Sequence, residues 1–164
     1  MNLLITGGRG GIGRSVAEVV STREGTRVVT LGRSVPPAGF DERNVRHEVG
    51  DVTDASFLED LLQRYEITHI VHAAGVRTRV CEMNPRLAFE GNVLGTERLR
   101  DAATRCASVR KFVHLSTAAV YGRTQAAVDE TAPLAAGSNY AISKAASELV
   151  LAPDPLDDGG QFCD

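Results

Sequence analysis

Residues 1–13 read MNLLITGGRGGIG, a short apolar run followed at once by five glycines in seven positions. Glycine weakens strands and helices because it has the most backbone freedom to lose, so such a cluster marks backbone that must come close to something. Gly7, Gly10 and Gly13 follow the apolar run and lead into RSVAEVV at 14–20, which has helical periodicity. Without Cβ atoms the chain can turn sharply, lay its amides against a pyrophosphate and pack helix on strand. The helix N-terminus then offers unpaired N–H groups and a partial positive charge to the anion. The spacing is G-x-x-G-x-x-G, not the G-x-G-x-x-G of the common dinucleotide fingerprint, and on these residues alone a Gly-rich turn without a ligand remains the alternative. No Gly-Lys-Ser/Thr follows, so the stretch is not a P-loop.

Outward from this stretch, β-like runs at 3–6, 27–31, 45–49, 69–73 and 111–115 alternate with helical periodicity at 13–22, 55–65, 86–106 and from Ser138 or Asn139 through Val150. Such alternation predicts an α/β fold, a doubly wound parallel sheet with helices on both faces, over residues 1–150. Asp54 is placed to cap the second helix. Ser34 to Phe40, with Pro36, Pro37 and Gly39, reads as a loop.

The 164 residues suit one domain, and 43% hydrophobic content is enough for a core without disulfides or metal. A net charge of −3 with no lysine/arginine block gives no nucleic-acid surface. Cys81, Cys106 and Cys163 are widely spaced and odd in number, as expected of reduced thiols in a cytoplasm, and no Cys/His spacing resembles a zinc site. Neither a signal-peptide pattern nor a membrane-length apolar stretch occurs, so the expected setting is cytoplasmic, with no membrane partner. Residues 151–164 hold two prolines, a Gly-Gly pair and four acids with no base; they predict an acidic, mobile tail, without which the body would carry about +1.

More distant signatures fall in one order: TGGRGGIG (6–13), GDVTD (50–54), VHAAG (71–75), GNVLGT (91–96), LSTAAVYG (115–122), DETAP (129–133) and YAISK (140–144). The chain resembles the extended short-chain dehydrogenases/reductases, specifically the NAD(P)-dependent epimerase/dehydratase group acting largely on nucleotide sugars. The resemblance covers roughly 1–150 and implies a Rossmann-type sheet binding NAD(H) or NADP(H). Carried over by position, it implies that Gly7, Gly10 and Gly13 hold the coenzyme's pyrophosphate, with Arg9 and Ile12 of the same stretch also among the coenzyme-binding residues. Asp51 and the Val52 backbone would meet the adenine, Ala73, Ala74 and Gly75 would line the coenzyme beyond the fourth strand, and Asn92 would brace the central helix. Thr117, Tyr140 and Lys144 would form the catalytic set, with Tyr140 and Lys144 also touching the coenzyme.

The chemistry asked of that set is physically reasonable. A tyrosine, with its ordinary pKa near 10, needs roughly 4 kcal/mol of extra phenolate stabilisation to serve as a base near pH 7. A lysine four positions later shares its helix face and supplies cationic charge. A threonine hydroxyl can orient the substrate oxygen, and the coenzyme carries the redox step. By itself Y-x-x-x-K also describes an exposed helical pair; the coincidence with STAAVYG and the glycine start favours catalysis.

Two further expectations depend on what is missing. In the family's nucleotide-sugar 4,6-dehydratases an Asp-Glu pair follows the threonine and eliminates water, whereas Ala118 and Ala119 stand here and cannot act as acid or base. Epimerisation or carbonyl/alcohol redox remains. NAD-preferring members end the second strand with an acid, whereas VVTLGRS at 28–34 ends in Gly32 and Arg33. Arg33 with Arg9 could meet a 2′-phosphate, which gives a modest preference for NADP(H) over NAD(H).

His47, His69, His72 and His114 read as packing or strand-end residues and no metal is expected; Arg77 and Arg79 read as an exposed loop, and Cys81 as incidental. Relative to the family pattern the chain is expected to be C-terminally truncated, lacking the substrate-binding region, with a homodimer or a completing partner chain covering apolar surface. A catalytically incomplete dinucleotide-binding remnant or regulatory module is the alternative reading.

Overall fold

Alternation along the first strand sets the architecture. In the computed structural model, which describes residues 1–35, 45–124 and 127–152, β1 (Asn2–Thr6) is the centre of a five-stranded sheet. Around it lie β2 (Arg27–Gly32), β3 (Val45–Val49), β4 (His69–His72) and β5 (Lys111–His114), in the order β3-β2-β1-β4-β5 with every pairing parallel. The chain therefore winds outward from β1 to β3, then crosses back to build β4 and β5 on the other side. Reversal at β1 opens a crevice between the C-terminal ends of β1 and β4, where doubly wound sheets bind ligands.

Leu4, Val29, Leu31, Ile70 and Phe112 share one core cluster with Leu58, Leu61 and Leu62 of α2 (Ala55–Arg64) and with Leu99, Ala102 and Ala103 of α5 (Gly95–Arg105). Leu3, Ile5, Val28 and Val45 cluster instead with Ala17 of α1 (Gly11–Ser21), on the other face. The central strands β1 and β2, buried on both faces, read as continuous apolar runs, and all five sequence runs match the observed strands to within a residue at each end. Truncating Leu58 or Leu61, both fully buried, would cost about 2–5 kcal/mol.

The expected helix over 86–106 is a composite. α4 (Pro85–Ala88) runs into a π-helical turn (Phe89–Leu94) and then into α5. Ahead of it stands a short helix missing from the sequence reading, α3 (Thr78–Met83), so Arg77 and Arg79 do not lie in a plain loop: Arg77 precedes α3 and Arg79 lies within it. Its six residues show no resolvable period, and backbone bonds from Val80 and Cys81 to the Arg77 carbonyl hold its first turn. A 3₁₀ turn (Ala118–Tyr121) follows β5, and α6 (Asn139–Leu151) closes the described chain.

Asp54 caps α2 as expected, accepting from the Phe57 amide at 3.0 Å. Most of the predicted 34–40 loop, from residue 36 onward, lies outside the described residues. The same holds for 153–164 of the predicted tail; Leu151 belongs to α6 and packs against the main core.

Candidate functional site

At the mouth of α1 the backbone itself is the packing surface. Gly7 has φ +68°, and a Cβ there would sit 2.7 Å from the Ala73 carbonyl and the Ala74 nitrogen. A Cβ on Gly13 would sit 2.4 Å from the Gly7 carbonyl oxygen. The turn after β1 is thus pressed against the end of β4 and against α1, and only glycine fits both contacts. No side chain caps α1 and no acid lies in its first turn, whereas α2, α4 and α6 are capped by Asp54, Asn84 and Ser138. Its first amides are left for an anion. Arg9 and Ile12 flank this opening, both exposed.

Two residues beyond the apolar row Leu4, Ile70 and Phe112, the same sheet face turns polar. Thr6, His72 and His114 stand side by side in register, and Thr6 and His72 are fully buried. The Ala74 amide donates to Thr6 Oγ1 at 3.2 Å, and Thr6 Oγ1 lies 2.6 Å from His72 Nδ1. On the other side His72 Nε2 meets Thr96 Oγ1 at 3.0 Å, and that hydroxyl donates to the Asn92 carbonyl at 2.6 Å. This order fixes the imidazole as a neutral ring protonated on Nε2. Full burial, with His114 and Lys144 nearby, holds its pKa well below the usual histidine range.

Asn92 carries the chain of bonds onward from the π turn. Its Oδ1 accepts from the Val76 amide at 2.6 Å, and its Nδ2 donates to Ser143 Oγ at 2.8 Å and, more weakly, to the Val76 carbonyl at 3.4 Å. Ser143 in turn donates to the Tyr140 carbonyl at 2.8 Å. A π turn shifts one residue out of helical phase, and here the displaced region presents Asn92 to both α6 and the segment after β4. Cys81 also packs here, donating to the Val76 carbonyl at 3.2 Å, with burial pushing its thiol pKa up.

On α6, Tyr140 is half-buried and Lys144 is only 4% exposed. Lys144 Nζ lies 2.9 Å from His114 Nε2. Burial lowers the lysine to a pKa of about 8, against a smaller upward pull from Glu148. His114 falls to about 3, mainly by burial and then by the neighbouring lysine. Helix start is fixed twice: Ser138 Oγ accepts from the Ala141 amide at 3.1 Å, and Glu82 of α3 accepts from the Tyr140 amide at 3.0 Å. Thr117 is half-buried at the head of the 3₁₀ turn, its hydroxyl oxygen accepting from the Ala119 amide at 3.2 Å. That turn packs against α6.

At the far end of the crevice, Arg9 donates to the Ser34 carbonyl at 3.0 Å and to the Ser34 hydroxyl. His47 Nε2 lies 3.1 Å from the same carbonyl. Arg33 is exposed beside them. Asp51 Oδ1 accepts from the amide and hydroxyl of Thr53, both at 2.9 Å, and Val52 packs on the core beneath Gly95. Ala73 donates its amide to the Thr6 carbonyl at 3.2 Å, and a Cβ on Gly75 would lie 3.3 Å from Asn92 Oδ1.

The glycines and 73–75 therefore meet at the switch point, Lys144 and Asn92 are drawn together through Ser143 on α6, and Arg9, Ser34 and Arg33 gather at the end of β2. Sequence reasoning missed His72, His114 and Glu82. Each reaches a partner far away in the chain, and the one local sign was a histidine at the same end of two adjacent apolar runs. Among the described residues no group of three or more His, Cys, Asp or Glu side chains could hold a metal ion. No described helix is long and apolar enough to cross a membrane.

Parallel strands wound outward from a glycine-lined switch point define a Rossmann-type dinucleotide-binding fold. The description "NAD dependent epimerase/dehydratase family" matches residues 3–153, and the chain belongs to that family. A dTDP-glucose 4,6-dehydratase of Streptomyces antibioticus is 36% identical over 162 residues, covering 92% of this chain and 48% of that protein. The UDP-glucose 4-epimerase of Thermus thermophilus, crystallised with NAD, aligns with a TM-score of 0.84 at 32% identity, over 93% of this chain and 50% of that one. The Bordetella bronchiseptica enzyme WbmG, in complex with NAD, aligns with a TM-score of 0.80 at 28% identity, over 92% and 49%. The chain spans about half the length of the curated relatives it matches.

Proposed function

We propose that this chain forms the coenzyme-binding and catalytic half of an NAD(P)-dependent enzyme acting on a nucleotide sugar or a related carbonyl or alcohol, by epimerisation or redox. One observation carries the reading: a lysine almost wholly buried one helical turn from Tyr140, on a helix tied through Ser143 and Asn92 to the segment beside the switch point.

The residues fit a dinucleotide. Gly7 and Gly13 leave no room for side chains between the α1 mouth and β4, and the uncapped α1 N-terminus suits a pyrophosphate. Gly10, Arg9 and Ile12 would border that group. Ala73, Ala74, Gly75 and Asn92 would line its nicotinamide half, with Asp51 and Val52 at the adenine. When bound, the coenzyme supplies reversible hydride transfer.

The chain's own groups do the rest. Thr117 can donate its hydroxyl proton outward, because its oxygen already accepts from Ala119; this would orient a substrate oxygen toward Tyr140. Tyr140 exchanges the proton of that oxygen, with the Lys144 side chain one helical turn further along α6. Ala118 and Ala119 put no acid or base beside Thr117, which favours epimerisation or redox over dehydration. Arg9, Arg33 and Ser34 at the end of β2 support NADP(H) over NAD(H).

Fluorescence titration of the protein with NADH and NADPH, followed by a nucleotide-sugar panel read by nicotinamide absorbance and sugar isomerisation, tests this. Turnover should vanish in Tyr140→Phe and Lys144→Ala with folding retained. A protein that binds neither coenzyme refutes the reading.

A further inference from the structure

Lys144 lies in a buried position, and the hydrogen bond its Nζ makes runs to a side chain of the sheet. We propose that His114 is a positioning residue for Lys144: its neutral ring, protonated on Nδ1, accepts a hydrogen bond from the lysine ammonium through Nε2 and keeps the positive charge on Lys144 beneath the Tyr140 face. The role rests on Lys144 belonging to the catalytic set proposed above.

Proton bookkeeping around the ring selects this arrangement. His114 Nε2 is 2.9 Å from Lys144 Nζ and 3.0 Å from Ser147 Oγ. Ser147 directs its own proton to the Lys144 carbonyl at 2.6 Å. A ring protonated on Nε2 could donate to Ser147, but it would face the ammonium with a proton on each nitrogen, so Lys144 would have to be the neutral amine. A ring protonated on Nδ1 accepts from the ammonium instead. Its Nδ1 is then the buried atom with no hydrogen-bond partner among the described residues, an unmet donor tolerated because a charge-assisted bond forms at Nε2.

Surrounding charges agree. Glu148, one turn further along α6, favours the ammonium and accepts from Ser116. His72 of β4, with its ring centroid 5.3 Å from that of His114, is committed as a neutral ring to Thr6 and Thr96. Of the elements packed on α6, α3 brings Cys81 and Glu82, bonded to the Val76 carbonyl and to the Asn139 and Tyr140 amides. Arg86 and Glu90 pair with each other across the α4–π boundary, and Arg100 of α5 bonds Asp101 and the Val150 carbonyl. Tyr121 lies in the 3₁₀ turn. The neutral acceptor facing Nζ is therefore His114.

The chain has two lysines, Lys111 and Lys144, so protein labelled with carbon-13 at the lysine ε position gives two resonances, with exposed Lys111 as internal reference. In the wild type, Lys144 should titrate near pH 8, and nitrogen-15 shifts should show His114 protonated on Nδ1. His114→Phe should lower the Lys144 midpoint by about one pH unit or more, as expected for losing a hydrogen bond to a charged group. His114→Gln, which retains an acceptor oxygen, should restore most of it. An unchanged midpoint in His114→Phe, or an Nε2–H ring in the wild type, overturns the proposal; the second readout needs no variant that must fold. Adding NADH or NADPH tests the underlying reading separately: if neither moves the Lys144 resonance, the coenzyme role falls while the midpoints still decide the lysine–histidine pair.

Discussion

Thr6 Oγ1 and His72 Nδ1 lie 2.6 Å apart at the adjoining ends of β1 and β4, with the Ala74 amide donating to the same hydroxyl. One hydroxyl thus joins both sides of the switch point. Thr6→Val keeps the shape but leaves a buried ring nitrogen and a backbone amide without partners. It should lower unfolding free energy by about 1–3 kcal/mol in urea titrations, and Thr6→Ser should recover most of that loss.

Acid should weaken the fold well before carboxylates protonate. His72 and His114 are held neutral in the native state, the first well below the usual range and the second at about 3. Above pH 6.5 neither state binds the histidine proton, so the histidine contribution to stability is at its full value there. As pH falls below 6.5 the unfolded chain takes up protons that the native state refuses, and stability drops toward the folded pKa values. The slope should be about 1.4 kcal/mol per pH unit for each histidine. Asp54 and Asp129, whose pKa values are lowered by hydrogen bonds, contribute only below about pH 4. Urea unfolding at pH 7.5 and pH 5 should show the decline, and His72→Asn should flatten it; a wild type equally stable at both would contradict the assignment.

Two glycines of the opening stretch should behave oppositely. A Cβ on Gly13 meets the Gly7 carbonyl oxygen at 2.4 Å, while a Cβ on Gly11 meets nothing within 4 Å. Gly11→Ala should therefore stabilise the protein slightly, by up to about 1 kcal/mol, because alanine loses less entropy in a helix. Gly13→Ala must push α1 from the strand and should lose more than that, together with NADH and NADPH binding. Thermal melting and fluorescence titration of both variants measure the contrast.

What was legible in the sequence follows from the range of the forces involved. The central strands β1 and β2 are readable because residues buried on both faces leave apolar runs, and the glycine mouth because Gly7 and Gly13 sit where a Cβ would meet backbone. α3 was not, since its six residues carry Arg79 and Glu82 and are held partly by the Cys81 thiol on Val76. The π turn was hidden because its cause is tertiary: Asn92 is drawn toward Val76 and Ser143, the latter 51 positions away. His114 reads as packing because its partner Lys144 lies 30 positions later, and nothing local shows that β5 runs beside α6.

Glu82 offers a test of how the Tyr140 helix is anchored. Its carboxylate accepts from the Tyr140 amide at 3.0 Å and the Asn139 amide at 3.4 Å, adding negative charge where the helix dipole is positive. Glu82→Ala should cost about 1 kcal/mol and should speed hydrogen exchange at the Tyr140 amide, while Ala141, bonded to Ser138, stays protected. Equal protection of Tyr140 in both proteins would show the contact to be inert.

Coenzyme choice should turn on the end of β2. The Thermus and Bordetella structures hold NAD, yet in this chain Gly32, Arg33 and Ser34 end the strand without an acid, and Arg9 is fastened to Ser34 by its carbonyl and hydroxyl. That clamp sets one guanidinium beside the exposed Arg33, and a 2′-phosphate between them would gain charge-assisted bonds that a ribose hydroxyl cannot match. Arg33→Asp should reverse the interaction, repelling a phosphate and accepting from a diol. Its NADPH affinity should fall by about tenfold or more, the equivalent of about 1.4 kcal/mol, while NADH affinity holds or rises. Arg9→Ala should weaken NADPH as well, through both its own charge and the freed Ser34. If the wild type binds the two coenzymes equally and Arg33→Asp changes neither, the arginines are surface residues and the site is indifferent to the 2′ position.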